Sequence, residues 1–582
     1  MTRSPAPQLA GEAAKEKPQL VLLFIGLMLS MLLASLSQTV LSTALPTMVG
    51  ELNGVDQMLW IMTAYILAST IMMPVYGKMG DLIGRKSLLI MAILVFVAGS
   101  IVGGLAGNMT WMIVARLIQG LGGGGLIILS QAIIADVVPA RERGKYMGIM
   151  GGVFAVSSVA GPLLGGWFTE SIGWRWTFWI NLPLGLAALL AAVFFLKLPQ
   201  GSNSKPRVDF AGMGVLAITT TSLVLAASWG GTEYAWTSPI ILGLFAATVL
   251  GAAVFVMIER RAAEPIISMH LFRKRNFNLS TGAGLLIGVA MFGVLGYMPT
   301  YIQMVTGLSA TQAGFVMVPM MAMLLGTSVS SGFVISKTGR YKWMPIAGTA
   351  IIGIALTLLS TLAAHTALWV LCLYIGVLGM GLGLSMQVLV LIVQNTFPNS
   401  QVGTATASNN YFRQIGASLG SAVVGSLFTS RLTRLISEKL PTGAVDSAGG
   451  ADNLTPAAVD ALPAAVREPI IQSYNEALTP LFLYMVPLAV VAIGLLCFIK
   501  EVPLATTIDR DAKTASGESK ADDDGRQLIG RGTNRDDAGQ TAVTDGGWAA
   551  AGDDSQPDIG REQIGSAPAN ADRHVRVGTT TR

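Results

Sequence analysis

The sequence predicts an all-α polytopic membrane protein, and three observations predict it. Of 582 residues, 52% are hydrophobic and only 12% charged, against about 25% charged in an average soluble domain. The apolar residues gather into fourteen runs. Most reach about 20 residues, the length a helix rising ~1.5 Å per residue needs to cross a ~30 Å hydrocarbon layer. Lys and Arg concentrate in alternate loops, the pattern that orients spans in a bilayer. A net charge of +5 placed in this way is explained by orientation and gives no reason to expect nucleic acid.

The runs lie near 20–45, 57–77, 87–106, 110–133, 144–168, 176–197, 209–229, 237–258, 278–303, 309–335, 344–363, 367–394, 402–429 and 479–500. Lipid offers backbone groups no hydrogen-bond partner, so each run is read as a transmembrane helix. The first follows Arg3, Lys15 and Lys17. It is too long for a signal-peptide core and lacks a convincing cleavage site, so it counts as a span. Basic loops follow the second span (Lys78, Arg85, Lys86), the fourth (Arg141, Arg143, Lys145), the sixth (Lys197, Lys205, Arg207), the eighth (Arg260, Arg261, Arg273, Lys274, Arg275) and the tenth (Lys337, Arg340, Lys342). Short loops on the other side offer little beyond Arg175, although the long loop after the thirteenth span holds Arg431, Arg434, Lys439 and Arg467. Five loops outweigh one and put both termini in the cytoplasm of a multi-pass plasma (inner) membrane protein. An even number of spans requires the termini to share a side.

The loop Gly77-Lys-Met-Gly80-Asp81-Leu-Ile-Gly84-Arg85 is echoed by Gly332-Phe-Val-Ile-Ser336-Lys-Thr-Gly339-Arg340. The two copies stand farther apart than six spans by about two spans' worth of chain, and 209–258 supplies the surplus. The expected organisation is therefore an N-terminus at 1–19, a six-helix bundle at 20–197, a linker with two extra spans at 198–275, a second six-helix bundle at 276–500 with an external loop at 430–478, and a disordered cytoplasmic tail at 501–582. Parallel halves of this kind bind substrate near mid-membrane between them.

Enzyme chemistry has no visible carrier. Cys372 and Cys497 lie alone in apolar runs, and His270, His365 and His574 are scattered, so neither a disulfide framework nor a metal site is expected. No G-x-x-x-x-G-K-[ST] string occurs, which argues against drive by ATP. No cofactor is called for.

The fifth span organises the rest. In it Ser157, Gly161 and Gly165 fall four apart, as do Ser158, Pro162 and Gly166. Two adjacent ridges thus lack bulk and admit another helix closely, and Pro162 removes a backbone donor and is expected to bend the helix. Ordinary small-residue packing between membrane helices explains the spacing equally well. The full string decides further: Gly161-Pro162-Leu163-Leu164-Gly165-Gly166, followed by Trp174 to Gly185 (WRWTFWINLPLG), resembles the antiporter motif of the major facilitator superfamily, and more narrowly its drug:proton antiporter family with fourteen spans. Ser157 stands where that signature usually has Gly. The resemblance covers about residues 20–500 and implies the major facilitator fold, two six-helix bundles plus two inserted spans.

Other residues take their roles from the same comparison. Gly77, Gly80, Asp81, Gly84, Arg85 and Lys86 match the superfamily's gating loop. Asp81 is its one acid and can latch the halves through helix-end and Arg hydrogen bonds. Ser336 replaces that acid in the second copy, so an asymmetric latch is expected. Arg116, in Arg116-Leu-Ile-Gln119-Gly120, resembles the fourth-helix motif, which implies a part in proton coupling for Arg116 and Gln119; a snorkelling Arg is the alternative. Arg413 in Asn409-Asn410-Tyr411-Phe412-Arg413-Gln414 is either structural glue or a cavity group. Family members commonly carry an acid in a first-span string like L-D-x-T, whereas here Leu36-Ser37-Gln38-Thr39 puts Ser37 in that place. Asp136 is then the remaining titratable candidate, with a salt bridge to Arg141 or Arg143 as its other reading. Gln38, Trp60, Tyr65, Gln131, Gln394, Asn395 and Asn410 are polar or amphipathic groups within apolar spans and are candidates to line a cavity.

The functional expectation is a secondary active exporter of hydrophobic or amphipathic small molecules, probing both faces of the lipid bilayer by alternating access, driven by protons and acting as a monomer. A lipid or dedicated-metabolite transporter, or a membrane partner without coupled drug antiport, is the alternative that Ser37 motivates.

Overall fold

A computed structural model describes residues 8–52, 54, 57–196, 208–231, 233–439, 459 and 462–506. Of the two units into which the chain divides, Met1–Asp509 and Arg510–Arg582, the second lies outside the described residues, as do most of the tail and of the loop at 440–463.

The described residues form helices and no strand. The first six spans are α1 (Gln8–Glu51), α2 (Met58–Ile83), α3 (Arg85–Gly104), α4 (Met109–Val137), α5 (Ala140–Ser171), and α6 (Trp176–Trp179) running into α7 (Asn181–Phe195). Two follow as an insert, α8 (Phe210–Trp229) and α9 (Pro239–Glu259). The last six are α10 (Arg275–Leu295) with α11 (Met298–Thr306), α12 (Ala310–Val316) with α13 (Val318–Thr338), α14 (Trp343–Ser360), α15 (Leu368–Gln394), α16 (Val402–Lys439) and α17 (Ala464–Cys497). The two divided spans break just before Pro299 and Pro319, whose missing N–H groups suit a helix's first turn.

Thirteen of these elements are long and apolar enough to cross a membrane. The fourteenth span is α16, which is less apolar because Asn409, Asn410, Arg413 and Gln414 lie in its first half. Asn409 and Asn410 find partners on other helices inside the bundle. Two helices run past the apolar stretches that mark them. α16 continues to Lys439, and α17 starts at Ala464, so both helices reach into the stretch 430–478 expected as an external loop.

Each half has its own apolar core. Leu27, Met31, Phe96, Ile133 and Met147 belong to the first, and Ile287, Tyr301, Ile375, Leu382 and Phe482 to the second. Between them, α5 packs on α13 and α2 on α16, and α8 covers the α2–α16 seam while α9 packs chiefly on α8.

Helix α5 divides its contacts between the halves. Toward its start, a Cβ on Gly144 would lie 3.3 Å from Ile335 of α13, and one on Gly148 would strike the carbonyl of Ser328. Toward its end, Gly161 abuts Thr39 and Gly165 abuts Thr43 and the Val40 carbonyl of α1. Thr39 Oγ1 seals that contact by donating to the Ser157 carbonyl at 2.8 Å. Of the two small-residue ridges, only the one through Ser157, Gly161 and Gly165 meets a helix at backbone distance. Gly166 faces open space, because a single partner, α1, crosses here. The helix runs unbroken through Pro162.

The first residues of the tail are ordered against the face that carries the basic loops. Val502 N donates to Tyr341 Oη at 2.8 Å, and Arg141 N donates to the Ala505 carbonyl at 3.0 Å.

Replacing Gly161 by Leu should destabilise the bundle by about 1–3 kcal/mol, the usual cost of overpacking, and lower the thermal midpoint of the detergent-purified protein. Gly166→Leu should leave it nearly unchanged. Equal shifts in the two variants would show that the packing ridge has been misassigned.

Candidate functional site

The halves are joined at the basic face by a carboxylate that caps a helix of the other half. Gly84, at φ 101°, adopts a backbone conformation that favours glycine and lets α2 end where α3 begins. The turn presents Asp81 to the first residues of α16. Asp81 Oδ1 accepts from Gly403 N at 3.1 Å, and Oδ2 accepts from Thr404 N at 2.7 Å and Thr404 Oγ1 at 2.8 Å. An anion here meets both the unpaired N–H groups and the positive end of the helix dipole. The approach demands glycine: a Cβ on Gly77 would lie 2.7 Å from the Gly403 carbonyl oxygen, and one on Gly403 would collide with the Asp81 carboxylate.

Arg85 holds the cap in place. Its Nη2 donates to Asp81 Oδ1 at 2.7 Å and to the Asn399 carbonyl at 3.0 Å. Its Nη1 donates to the Ala132 carbonyl at 2.6 Å and pairs with Asp136 Oδ1 at 2.7 Å. Asp136 is therefore paired with Arg85, whereas the sequence pointed to Arg141 or Arg143. Those two arginines turn to carbonyls instead: Arg143 to Val138 and Ala135, with Asn399 Oδ1 at 3.2 Å, and Arg141 to Ser336 and Lys337 across the halves. The second copy of the loop thus contributes backbone acceptors where the first contributes a carboxylate. Lys86 stands apart, donating to the Val193 carbonyl at 2.9 Å. Gly80 packs beside Leu129 and the Arg85 stem.

Deeper in, amides bridge the halves. Asn410 Nδ2 donates to Gln131 Oε1 at 3.0 Å, and Gln394 Nε2 donates to the Gln131 carbonyl at 3.2 Å and Thr406 Oγ1 at 3.3 Å. Arg413 Nη2 donates to Asn410 Oδ1 at 2.5 Å. Gln131 Nε2 and Gln394 Oε1 are buried without a partner.

Toward the opposite face, Arg116 is fully enclosed. Its Nη1 donates to Gln119 Oε1 at 2.8 Å and to Ser37 Oγ at 3.3 Å, and its Nε donates to the Ile61 carbonyl at 3.2 Å. The guanidinium lies 4.3 Å from the centroid of the Tyr65 ring, whose hydroxyl is tied to the Ala34 carbonyl. Gln119 Nε2 goes on to Ser100 Oγ at 2.8 Å. Arg116 Nη2 has no acceptor.

A cavity of about 340 Å³ opens in the opposite half between α2, α8, α10 and α16, lined by Met62, Thr63, Ile66, Ala227, Gln414 and Ser418 among others. Of the cavity candidates read from sequence, Tyr65, Gln131, Gln394 and Asn410 are buried in the bonds just described. Trp60 packs edge-on against Trp229 of the insert at 5.8 Å, and Gln38 is half-buried. Asn395 ends α15 at the basic face and donates to the Val502 carbonyl at 3.1 Å. It lies past the apolar stretch, so helix length and not polarity decides its place. Sequence reasoning missed Asn399, Gly403, Thr404 and Ser100. The only advance signal was Pro398 just before a new helix, which marks an N-terminus in need of a cap.

The residues matched to the model of the Major Facilitator Superfamily are 27–421, and the chain belongs to that superfamily. It is 40% identical to the uncharacterised MFS-type transporter Rv1877 of Mycobacterium tuberculosis, over 88% of this chain and 74% of that one. Two relatives from Bacillus subtilis carry functional names. The multidrug transporter protein MdtP is 36% identical over 72% of this chain and 77% of its own, and multidrug resistance protein 3 is 32% identical over 84% and 97%. Among solved structures, the proton:xylose symporter XylE shares the fold at TM-score 0.55 and 15% identity, over 85% of this chain and 99% of that one.

If the Asp81 cap closes the basic face, Asp81→Asn should open it. Ser328 lies buried beneath the Gly144–Gly332 contact, so a Ser328→Cys thiol, in a background with Cys372 and Cys497 changed to Ser, reports opening. Losing one charge-assisted hydrogen bond, about 1.5 kcal/mol or more, should raise its labelling rate by a polar maleimide roughly tenfold. Unchanged labelling would contradict the latch.

Proposed function

We propose that this transporter exports hydrophobic or amphipathic small molecules by alternating access, as a monomer in the plasma membrane, in exchange for protons. The observation that carries the reading is the closure at one face only. Asp81, Arg85 and Arg141 join the halves at the basic face, while open space lies between helices of the two halves in the other half of the bundle. With the basic loops inside, this is an outward-facing state, ready to release cargo. The multidrug names of the relatives support the cargo class.

In this reading α5 carries the motion. Its first half slides on α13 and its second half stays locked to α1, so the two bodies rock about the fixed mid-membrane region. The coupling proton acts at Asp136. Protonating it would weaken its pair with Arg85, the side chain that holds the cap on α16, and so open the basic face. Ser37 cannot titrate in the physiological range, which moves the coupling site away from the first span.

A second reading is favoured by that same serine: a dedicated metabolite or lipid transporter without drug:proton exchange. Dye efflux from expressing cells separates the two. Proton-driven export predicts efflux of a neutral dye that a protonophore abolishes, and loss of most of that efflux in Asp136→Asn at equal membrane levels. Absent efflux with the protein present in the membrane would favour the second reading.

A further inference from the structure

We infer that the transported compound carries an anionic group and that Arg413 receives it, an assignment that rests on the export reading above. Arg413 stands about 16 Å along α16 from Val402, near the middle of a ~30 Å hydrocarbon layer. One of its N–H groups is spoken for, by Asn410 Oδ1, which is itself fixed through Gln131 of the other half. The side chain is partly exposed, and its remaining donors meet no acceptor among the described residues. A guanidinium oriented by an amide, with the rest of its donor fork open, is suited to a carboxylate, sulfonate or phosphate.

The surroundings favour the same sign. Among the described residues no carboxylate pairs with Arg413 or with Arg116, whose Nη2 also lacks an acceptor. The carboxylates sit at the ends: Asp81 and Asp136 with Arg85 at the basic face, and Glu51 with Arg175 at the other. Two cations without counter-charges, Arg116 fully buried and Arg413 partly exposed, leave the interior positive. In a low-dielectric space that field acts strongly; it repels a lipophilic cation and attracts an anion. Where Ser37 stands, 3.3 Å from Arg116 Nη1, a carboxylate would have cancelled half of that charge.

The test uses naphthylpropyl compounds ending in a carboxylate, a primary amide or a trimethylammonium group. Their equilibrium binding to the purified full-length protein and their transport in proteoliposomes are both measured. The carboxylate should bind at least tenfold more tightly than the ammonium compound. Arg413→Gln should bring it to the level of the amide without changing amide binding, Arg413→Lys should restore part of the difference, and Ser37→Asp should narrow the gap between carboxylate and ammonium. Binding of the ammonium compound as tight as the carboxylate, or an equal loss for all three in Arg413→Gln, would overturn the inference. Transport of the amide reads the export proposal separately: if the amide is moved but the carboxylate is not preferred, only the anion assignment fails. If none is moved while the carboxylate binding preference and its Arg413 dependence hold, only export fails.

Discussion

The structure depends on one carboxylate placed at the start of a helix in the other half. Asp81 satisfies the first N–H groups of α16 that no turn of helix can satisfy, and Arg85 couples it to Asp136 and to the Asn399 carbonyl. The cap forms only when the halves are together at that face. In the proposed cycle it would contribute to one conformation and not to the other, which is the requirement for biasing a two-state equilibrium.

Glycine is the second constraint. Where α5 meets α13, α2 meets α16, and α5 meets α1, backbone lies against backbone because there is no Cβ to hold it off. Lipid supplies no hydrophobic drive to bring helices together, so such close packing and the hydrogen bonds it permits are what hold the seams. The carboxylate cap and the glycine seams together hold the halves close at the basic face.

Much of this was legible in the sequence. Fourteen apolar runs and alternate basic loops fixed the span count, including α16, whose polar residues alone would argue against a membrane helix. Its Asn410 is tolerated because Gln131 answers it from the other half, and Arg413 leans on Asn410 in turn. The loop around Asp81 was recognisable as one whose acid could accept helix-end and Arg hydrogen bonds. Its target was not, since Thr404 lies 323 residues away and no local pattern joins the two. Asp136 was assigned to its sequence neighbours Arg141 and Arg143, but helical geometry points Arg143 back at the carbonyls of α4 and leaves Arg85 to make the pair. Gly166 shows the limit of spacing arguments: a ridge free of bulk invites a partner, and only the third dimension says whether one comes.

The central claim is that the two faces open in alternation. Spin labels at exposed positions of α5 and the second half measure it by pulsed dipolar spectroscopy: Glu142 with Thr338 at the basic face, and Glu170 with Thr311 at the other. On adding cargo and lowering pH, the account predicts that one distance lengthens as the other shortens, in the same fraction of molecules. Distances that lengthen together, or stay fixed while cargo is transported, would contradict it.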